Sequence, residues 1–279
     1  MKKSALLILS SLFLMLACTS GNKNDKQNDR QPENSEVKVP TRKITRRDVP
    51  VTMDFYQITN LSAATVVFTP GPFKVSEEGD SALLNNLSYE FDGGVLTIKT
   101  PMEANNDMAS YGGNDSLIVR VSCPELKTLA VCATGGFVCH DTITTENFQM
   151  GGLVMGNIDI DKVVAEKFRY ESNGSTMLNV GEIECGECVV ISTGDGILNL
   201  NVDARTNAYF DIKNESTMNL NVNSPLVEGL IETKREISMT MQTDNLQLNV
   251  LAGTVNLAGK AAKQNVRKGQ LAVVNNALQ

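Results

Sequence analysis

The sequence predicts an all-β fold, namely a single-domain, right-handed parallel β-helix-like solenoid of about 20-residue rungs with hairpin-containing N-terminal strands. Three observations support this prediction: a 20-residue repeat of residue type, an alternation of apolar and polar residues within each repeat, and glycine or asparagine where each repeat turns. A fixed period combined with such alternation is typical of solenoids, in which each turn of the chain stacks on the turn before it.

The repeat is clearest in two apolar columns and in the polar column that separates them. In chain order these columns read Ile158, Leu178, Leu198, Met218; Asp159, Asn179, Asn199, Asn219; and Ile160, Val180, Leu200, Leu220. Successive side chains of a strand point to opposite faces. We therefore expect aliphatic ladders inside the solenoid and asparagine ladders outside it.

The rungs begin near residue 128 and continue to about residue 264. A further apolar column is expected to hold Met150, Tyr170, Val190, Phe210 and Leu230. Glycine and asparagine tolerate positive φ, so they mark the corners between strands. The predicted corners are Gly151-Gly152, Asn173-Gly174, Gly194-Asp195-Gly196, Asn223-Ser224-Pro225 and Gly253.

Upstream of the repeat, the same two-residue period predicts shorter strands and no helix. The expected strands are 51–58, 65–68, 87–91, 95–100 and 116–122. The tight-turn sequence Asp92-Gly93-Gly94 predicts a hairpin between the third and fourth of these strands. The polar stretch 101–115 is expected to form a long loop.

The first 17 residues have the pattern of a signal peptide, because Lys2 and Lys3 precede an apolar run too short to span a membrane. The following Met15-Leu16-Ala17-Cys18 resembles a bacterial lipobox, which predicts that Cys18 is the lipid attachment site. An ordinary secretory signal with a chance cysteine is the alternative.

Residues 18–47 are polar and carry eight basic and four acidic residues, so we expect a disordered tether. Its basic residues, which include Arg46 and Arg47, would gain some attraction from an anionic membrane. Without the +2 of the leader and the +4 of the tether, residues 48–279 carry a net charge of −13. Such a domain is not expected to bind nucleic acid, which requires a positive surface. Trp is absent, which disfavours a Trp-rich sugar platform.

The cysteines and the single histidine give no strong sign of chemistry. Cys185 and Cys188 form a CxxC, but the repeat places Cys188 in an apolar column, so we expect buried structural thiols. For Cys123, Cys132 and Cys139 the sequence leaves three alternatives: a Cys132–Cys139 disulfide, cysteines stacked between rungs, or free thiols. No partner stands at a telling spacing from His140, and no metal or cofactor residues are predicted.

Acidic residues were weighed because β-helices include polysaccharide hydrolases and lyases, in which two carboxylates flank a cleft. The candidates are Asp159, Asp161, Asp195, Asp203 and Asp211. Because Asp159 and Asp161 align with asparagine columns, we expect a solvated face and no catalytic residues. Calcium at acidic corners stays open, although the repeat lacks the glycine-rich pattern of calcium-binding β-rolls.

The lipobox, the polar tether, the opening strands and the rungs with Gly and Asn corners together resemble one family. It is the putative auto-transporter adhesin head domain, or GIN domain, many of whose members are lipoproteins of Bacteroides-like bacteria. The resemblance covers about residues 50–275 and includes the closing segment 248–259. It implies a β-helix-like stack of parallel strands and supplies no catalytic residues. The Ser-Gly corners frequent in that family are mostly Asn-Gly, Thr-Gly or Asn-Ser in this chain.

The sequence therefore predicts a non-enzymatic, lipid-anchored protein of the cell envelope, an outer-membrane lipoprotein that faces either the periplasm or the medium. Its head, residues 48–279, is expected to bind a glycan or a protein. A β-helix carbohydrate-active enzyme and a purely structural envelope scaffold are the alternatives. The sequence leaves open whether the heads associate as a homo-oligomer.

Overall fold

The computed structural model describes residues 44–100, 117–132, 134–152 and 156–279. The predicted lipid site Cys18 and the predicted loop 101–115 lie outside these residues. In the described part, fourteen strands and one short helix occur in chain order. They are β1 (Ile44–Val49), β2 (Gln57–Leu61), β3 (Thr65–Pro70), β4 (Lys74–Asp80), α1 (Ser81–Leu84), β5 (Ser88–Asp92), β6 (Val95–Lys99), β7 (Leu117–Cys123), β8 (Thr128–Val131), β9 (Phe137–Gly152), β10 (Asn157–Ser172), β11 (Met177–Ser192), β12 (Ile197–Asn214), β13 (Thr217–Asn223) and β14 (Leu226–Leu278).

The predicted solenoid is confirmed, because successive strands from β9 onward pair in parallel with a shift of about 20 residues. Ile158 pairs with Leu178, Leu178 with Leu198, and Leu198 with Met218. All four side chains are buried. Each long strand bends at corners and supplies more than one side of a turn, so a single run of 16 residues such as β10 forms most of one turn.

The core is the stack of inward-facing columns. Phe148 lies 6.2 Å from Phe168 between ring centroids, and Cys188 and Ala208 continue that column as predicted. A fully buried aliphatic or aromatic side chain contributes about 1.5–3 kcal/mol before the loss of chain entropy is counted. Repetition of this contribution along each column stabilises the stack.

One predicted column is wrong at its last member. Phe210 pairs with Gly229, while Leu230 pairs with Asp211. The corner at residues 223–225 causes this shift. Asp203 pairs with Asn223, and Asn207 pairs with Leu226. The chain therefore has one residue fewer between Asn223 and Leu226 than between Asp203 and Asn207.

Corners stack backbone upon backbone, and this contact requires glycine at particular positions. A Cβ atom built on Gly194 would lie 2.0 Å from the carbonyl oxygen of Gly174 in the turn before. Gly253 has a φ of +95°, and a Cβ atom built on it would lie 2.5 Å from the Thr233 carbonyl oxygen. A side chain at either position would push two turns apart.

The N-terminal strands differ from the prediction. The hairpin is confirmed, since β5 and β6 pair antiparallel and the pair Asp92 and Val95 closes the turn at Gly93-Gly94. By contrast, the sequence does not predict three of the observed elements, namely β1, β4 and the single helical turn α1. The segment predicted as strand 51–58 pairs only from about Tyr56, whose N–H donates to the Gly94 carbonyl. Strand β1 also includes residues 44–47, which were assigned to the tether.

Spatial order and chain order diverge at this end of the solenoid. On one side β2 lies between β6 and β8, and on another β3 lies between β7 and β9, with parallel pairing throughout. Strands β1 and β4 continue the second side antiparallel. The first turn of the chain is thus enclosed by two later ones.

A buried ion pair holds β1 to this end. The Glu77 side chain on β4 is 2% exposed and accepts hydrogen bonds from the Arg47 Nε and from the Tyr89 hydroxyl. Arg47 also donates to the Leu84 carbonyl oxygen at 2.9 Å. Burial, followed by the hydrogen bond to Glu77, raises the pKa of Tyr89 far above its ordinary value. The Glu77 carboxylate and the Arg47 guanidinium together link β1, β4, α1 and β5.

We predict that Arg47→Met destabilises the protein by about 3 kcal/mol, because it leaves the buried Glu77 carboxylate without its cationic partner. Arg46→Met is the matched control, since Arg46 lies next in the strand and points to the opposite face. Urea unfolding followed by circular dichroism measures both. Equal, small effects of the two substitutions would contradict this role of the ion pair.

Candidate ligand-binding face

The outward side chains of β10 to β13 form a polar surface, here called the asparagine face. It comprises the columns Asp159, Asn179, Asn199, Asn219; Asp161, Gly181, Asn201, Asn221; and Asp203, Asn223. It arises by simple alternation: Leu198, Leu200 and Val202 point into the core, so the residues between them point outward. The predicted asparagine ladders are therefore present.

The amides of this face are hydrogen-bonded from turn to turn. Asn199 Nδ2 donates to Asn179 Oδ1 at 2.7 Å, and Asn219 Nδ2 donates to Asn199 Oδ1 at 2.8 Å. In the neighbouring column, Asn221 Nδ2 donates to Asn201 Oδ1 at 2.7 Å. Each of these bonds runs toward the preceding turn, so the amides are held in one orientation.

The ladders leave regular hydrogen-bonding capacity for a ligand. An amide side chain has two N–H donors and two oxygen lone pairs. An internal ladder member such as Asn199 uses one donor and one lone pair. Its remaining donor and acceptor recur from turn to turn at the strand spacing of about 4.8 Å. Hydroxyl groups, which both donate and accept, match this arrangement.

A shallow groove of about 270 Å³ crosses the face where its second column is interrupted. Gly181 has no side chain, so a notch lies between Asp161 and Asn201. Asn201 Nδ2 donates to the Gly181 carbonyl at 2.7 Å and fixes one wall. A Cβ atom at residue 181 would approach the Asp161 carbonyl oxygen to 2.7 Å, so the tight stacking of the turns favours glycine here.

A second groove of about 480 Å³ adjoins the first and shares Asn201 and Asn221 with it. The described lining of the two grooves contains the carboxylates of Asp159, Asp161, Glu182 and Asp203 and no Lys or Arg. Lys162 lies 3.0 Å from Glu182 and offsets its charge, so the three aspartates make the surface negative. It disfavours anionic ligands and accepts neutral or cationic ones.

The acidic residues singled out in the sequence are not gathered into one site. Asp159, Asp161 and Asp203 share the asparagine face, and Asp161 Oδ1 lies 3.2 Å from the Nδ1 of the exposed His140. Asp211, by contrast, pairs with Lys213 at 3.0 Å on another side of the turn. In the described ranges, no three His, Cys, Asp or Glu side chains are grouped as metal ligands would be.

The five cysteines of the described part are free thiols, so the Cys132–Cys139 bridge is not formed. Burial raises the pKa of Cys123 to about 12 and that of Cys139 to about 11. A hydrogen bond with the Cys185 thiol, together with burial, raises the pKa of Cys188. Cys123, Cys139 and Cys188 are therefore protonated at neutral pH, which suits a core role rather than nucleophilic chemistry.

Neither groove is predicted from the sequence, although the sequence contains one signal for the first. Gly181 stands at an outward position of a column whose other members are Asp161, Asn201 and Asn221. A missing side chain in an otherwise uniform column indicates a notch. No comparable signal in the sequence marks the second groove.

The sequence model of one protein family, described as putative auto-transporter adhesin, head GIN domain, matches residues 54–226. This match spans more than half of the chain and includes the asparagine face. The comparison with curated proteins gives no match. None of the helices in the described part is long and apolar enough to cross a membrane.

Solved structures share the fold at low sequence identity. A putative adhesin from Parabacteroides distasonis ATCC 8503 has 18% identity and a TM-score of 0.68, with 84% of this chain and 97% of that chain covered. A putative adhesin from Parabacteroides merdae ATCC 43184 has 18% identity and a TM-score of 0.65, with 85% and 95% covered. A putative lipid binding protein from P. distasonis has 14% identity and a TM-score of 0.54, with 84% and 95% covered.

Proposed function

Because the chain belongs to the family described as putative auto-transporter adhesin, head GIN domain, we propose that it is a non-enzymatic binding head of the cell envelope that attaches to a glycan through its asparagine face. Family membership supports an adhesion or binding role, and the solved structures with the same fold are described in similar terms. The choice of glycan rests on one observation, the hydrogen-bonded amide ladders beside two grooves.

The chemistry of the face favours a glycan over a protein partner. Protein interfaces usually depend on a few aromatic or apolar anchors. On the asparagine face the exposed groups are amides and carboxylates, while the aliphatic neighbours Val180 and Leu200 are buried. Neutral or amino-bearing sugars offer hydroxyls to such amides without the charge repulsion that an acidic polymer would meet.

Binding by amides alone is expected to be modest for each head. A net hydrogen bond contributes about 0.5–1.5 kcal/mol, and no aromatic residue is present among the described lining of the two grooves to stack on a sugar ring. Several heads anchored to one membrane raise the effective affinity for a polymer that they bind together. This multivalency suits an adhesin better than a transport or sensing protein.

Catalysis is not part of the proposal. A glycosidase requires one carboxyl whose pKa is raised by an enclosed environment. Asp159 and Asp161 are exposed in a shallow groove, and one of them pairs with His140. A lipid ligand, suggested by one solved structure with this fold, is not favoured at the first groove because seven of its eleven lining residues are Asp or Asn.

The attachment to the membrane is proposed from the sequence. The segment ending in Cys18 has the form of a lipobox, and the polar residues up to about 43 suit a tether. An outer-membrane lipoprotein, facing the periplasm or the medium, would hold the head near its ligand.

A glycan array with the soluble chain, followed by titration of the best ligand, tests the function. We expect the double variant Asn201→Ala/Asn221→Ala to raise the Kd about tenfold, because both residues border both grooves. The matched control is Asn256→Ala/Asn275→Ala, which removes another ladder pair, joined at 2.7 Å, elsewhere on the solenoid. Equal loss in both variants, or no glycan bound at all, would contradict the proposal.

The anchor is tested in cells. We expect the natural chain to incorporate labelled fatty acid, and the Cys18→Ala variant not to incorporate it because it lacks the acceptor thiol. Retention of the label in Cys18→Ala would show that the lipobox assignment is wrong.

A further inference from the structure

A basic groove lies at the N-terminal end of the solenoid, on the side that also carries the asparagine face, since its lining residue Val67 pairs with Val138 and Val138 pairs with Asp159. It has a volume of about 230 Å³ and is lined by strands β1, β3, β4 and β7 and by the turn 70–72. Three of its lining side chains are cationic, namely Arg46, Lys74 and Arg120. The described lining contains no Asp or Glu, the reverse of the situation at the asparagine face.

Antiparallel pairing brings the three cations to one surface. Ser76 of β4 pairs with Arg120 of β7, and Glu78 pairs with Arg46 of β1. Lys74 stands two residues before Ser76 and therefore points the same way. Arg47, next to Arg46 in the strand, points inward to Glu77 and is not available. Arg47 therefore has a structural role, whereas the adjacent Arg46 lines the groove.

The neighbouring acids neutralise this groove only in part. Lys74 Nζ is 3.8 Å from Asp48 and Arg120 is 3.6 Å from Glu78, both longer than a hydrogen bond. The donors of these side chains are therefore not consumed by the ion pairs. Three cations face two acids, which leaves a local positive charge on a domain whose net charge is −13.

The walls of the groove are fixed by hydrogen bonds. The Ser122 hydroxyl donates to the Pro72 carbonyl at 2.5 Å, and the Gly71 N–H donates to the Cys123 carbonyl at 3.0 Å. These bonds hold the turn 70–72 against β7 beside Arg120. Cations on a rigid strand surface require little ordering when they bind an anion.

We propose that the basic groove binds a phosphate group of an anionic membrane surface. Arginine and lysine donors that approach from three strands match the several oxygens of a phosphate. The groove also includes β1, the strand that directly follows the predicted tether, so it belongs to the end of the domain joined most closely to the anchor.

The test measures binding of the soluble chain, without its predicted leader, to vesicles that contain phosphatidylglycerol and to vesicles of phosphatidylcholine alone. We expect binding to the anionic vesicles only. The triple variant Arg46→Ala/Lys74→Ala/Arg120→Ala should bind at least about tenfold more weakly. The control Lys260→Ala/Lys263→Ala/Lys268→Ala removes the same charge from exposed positions elsewhere and should keep the binding. The single variant Arg46→Ala, which leaves the buried ion pair intact, covers the case in which the triple variant does not fold.

A second arm separates headgroup phosphate from general negative charge. Inorganic phosphate should weaken vesicle binding by the natural chain more than chloride of equal ionic strength. Identical effects of phosphate and chloride would overturn the proposal. So would an equal loss of vesicle binding in the groove and control variants, or a failure of the natural chain to bind anionic vesicles.

Discussion

The structure depends on one constraint: each turn of the chain must place its residues directly over the corresponding residues of the turn before. In-register parallel pairing from β9 to β14 imposes this, with Leu178 under Leu198 and Asn179 under Asn199. A column can then hold only one kind of side chain, apolar where it faces the core and polar where it faces water. Departures occur where one turn has a residue more or fewer than the next, as at residues 223–225 and between Val180 and Ile183.

The same constraint produces the surface on which the proposed function rests. Stacking equal turns aligns amides at strand spacing, and their hydrogen bonds fix the orientation of every donor and acceptor. A repeating surface of this kind suits a repeating ligand. Charge is distributed in a corresponding way, with carboxylates around the asparagine face and cations in the basic groove at the end that follows the tether. The two surfaces thus favour different partners at different places on one solenoid.

Much of the repeating part could be predicted from the sequence, because its columns and corners repeat in residue type. The hairpin at residue 93 was equally visible, since its turn requires glycine. Strand β4 was not, because the sequence from Lys74 to Asp80 contains a single large apolar residue and its Glu77 is buried through an ion pair that only the fold brings together. The order of β6, β2 and β8 depends on long-range pairing that no local pattern encodes. For the site, the amide ladders were predictable and Gly181 marks the first groove, whereas no residue of the sequence marks the second groove.

Engineered disulfides test the stacking register most directly. Two outward residues in register on adjacent turns have Cα atoms about 4.8 Å apart, which is within the range for a disulfide. The Cα atoms of a pair offset by two residues are too far apart for a disulfide. The double variant Asn179→Cys/Asn199→Cys should therefore cross-link on mild oxidation, and Asn179→Cys/Asn201→Cys should not, as read by mass spectrometry after thiol alkylation. Cross-linking of the offset pair in preference to the aligned pair would contradict the account.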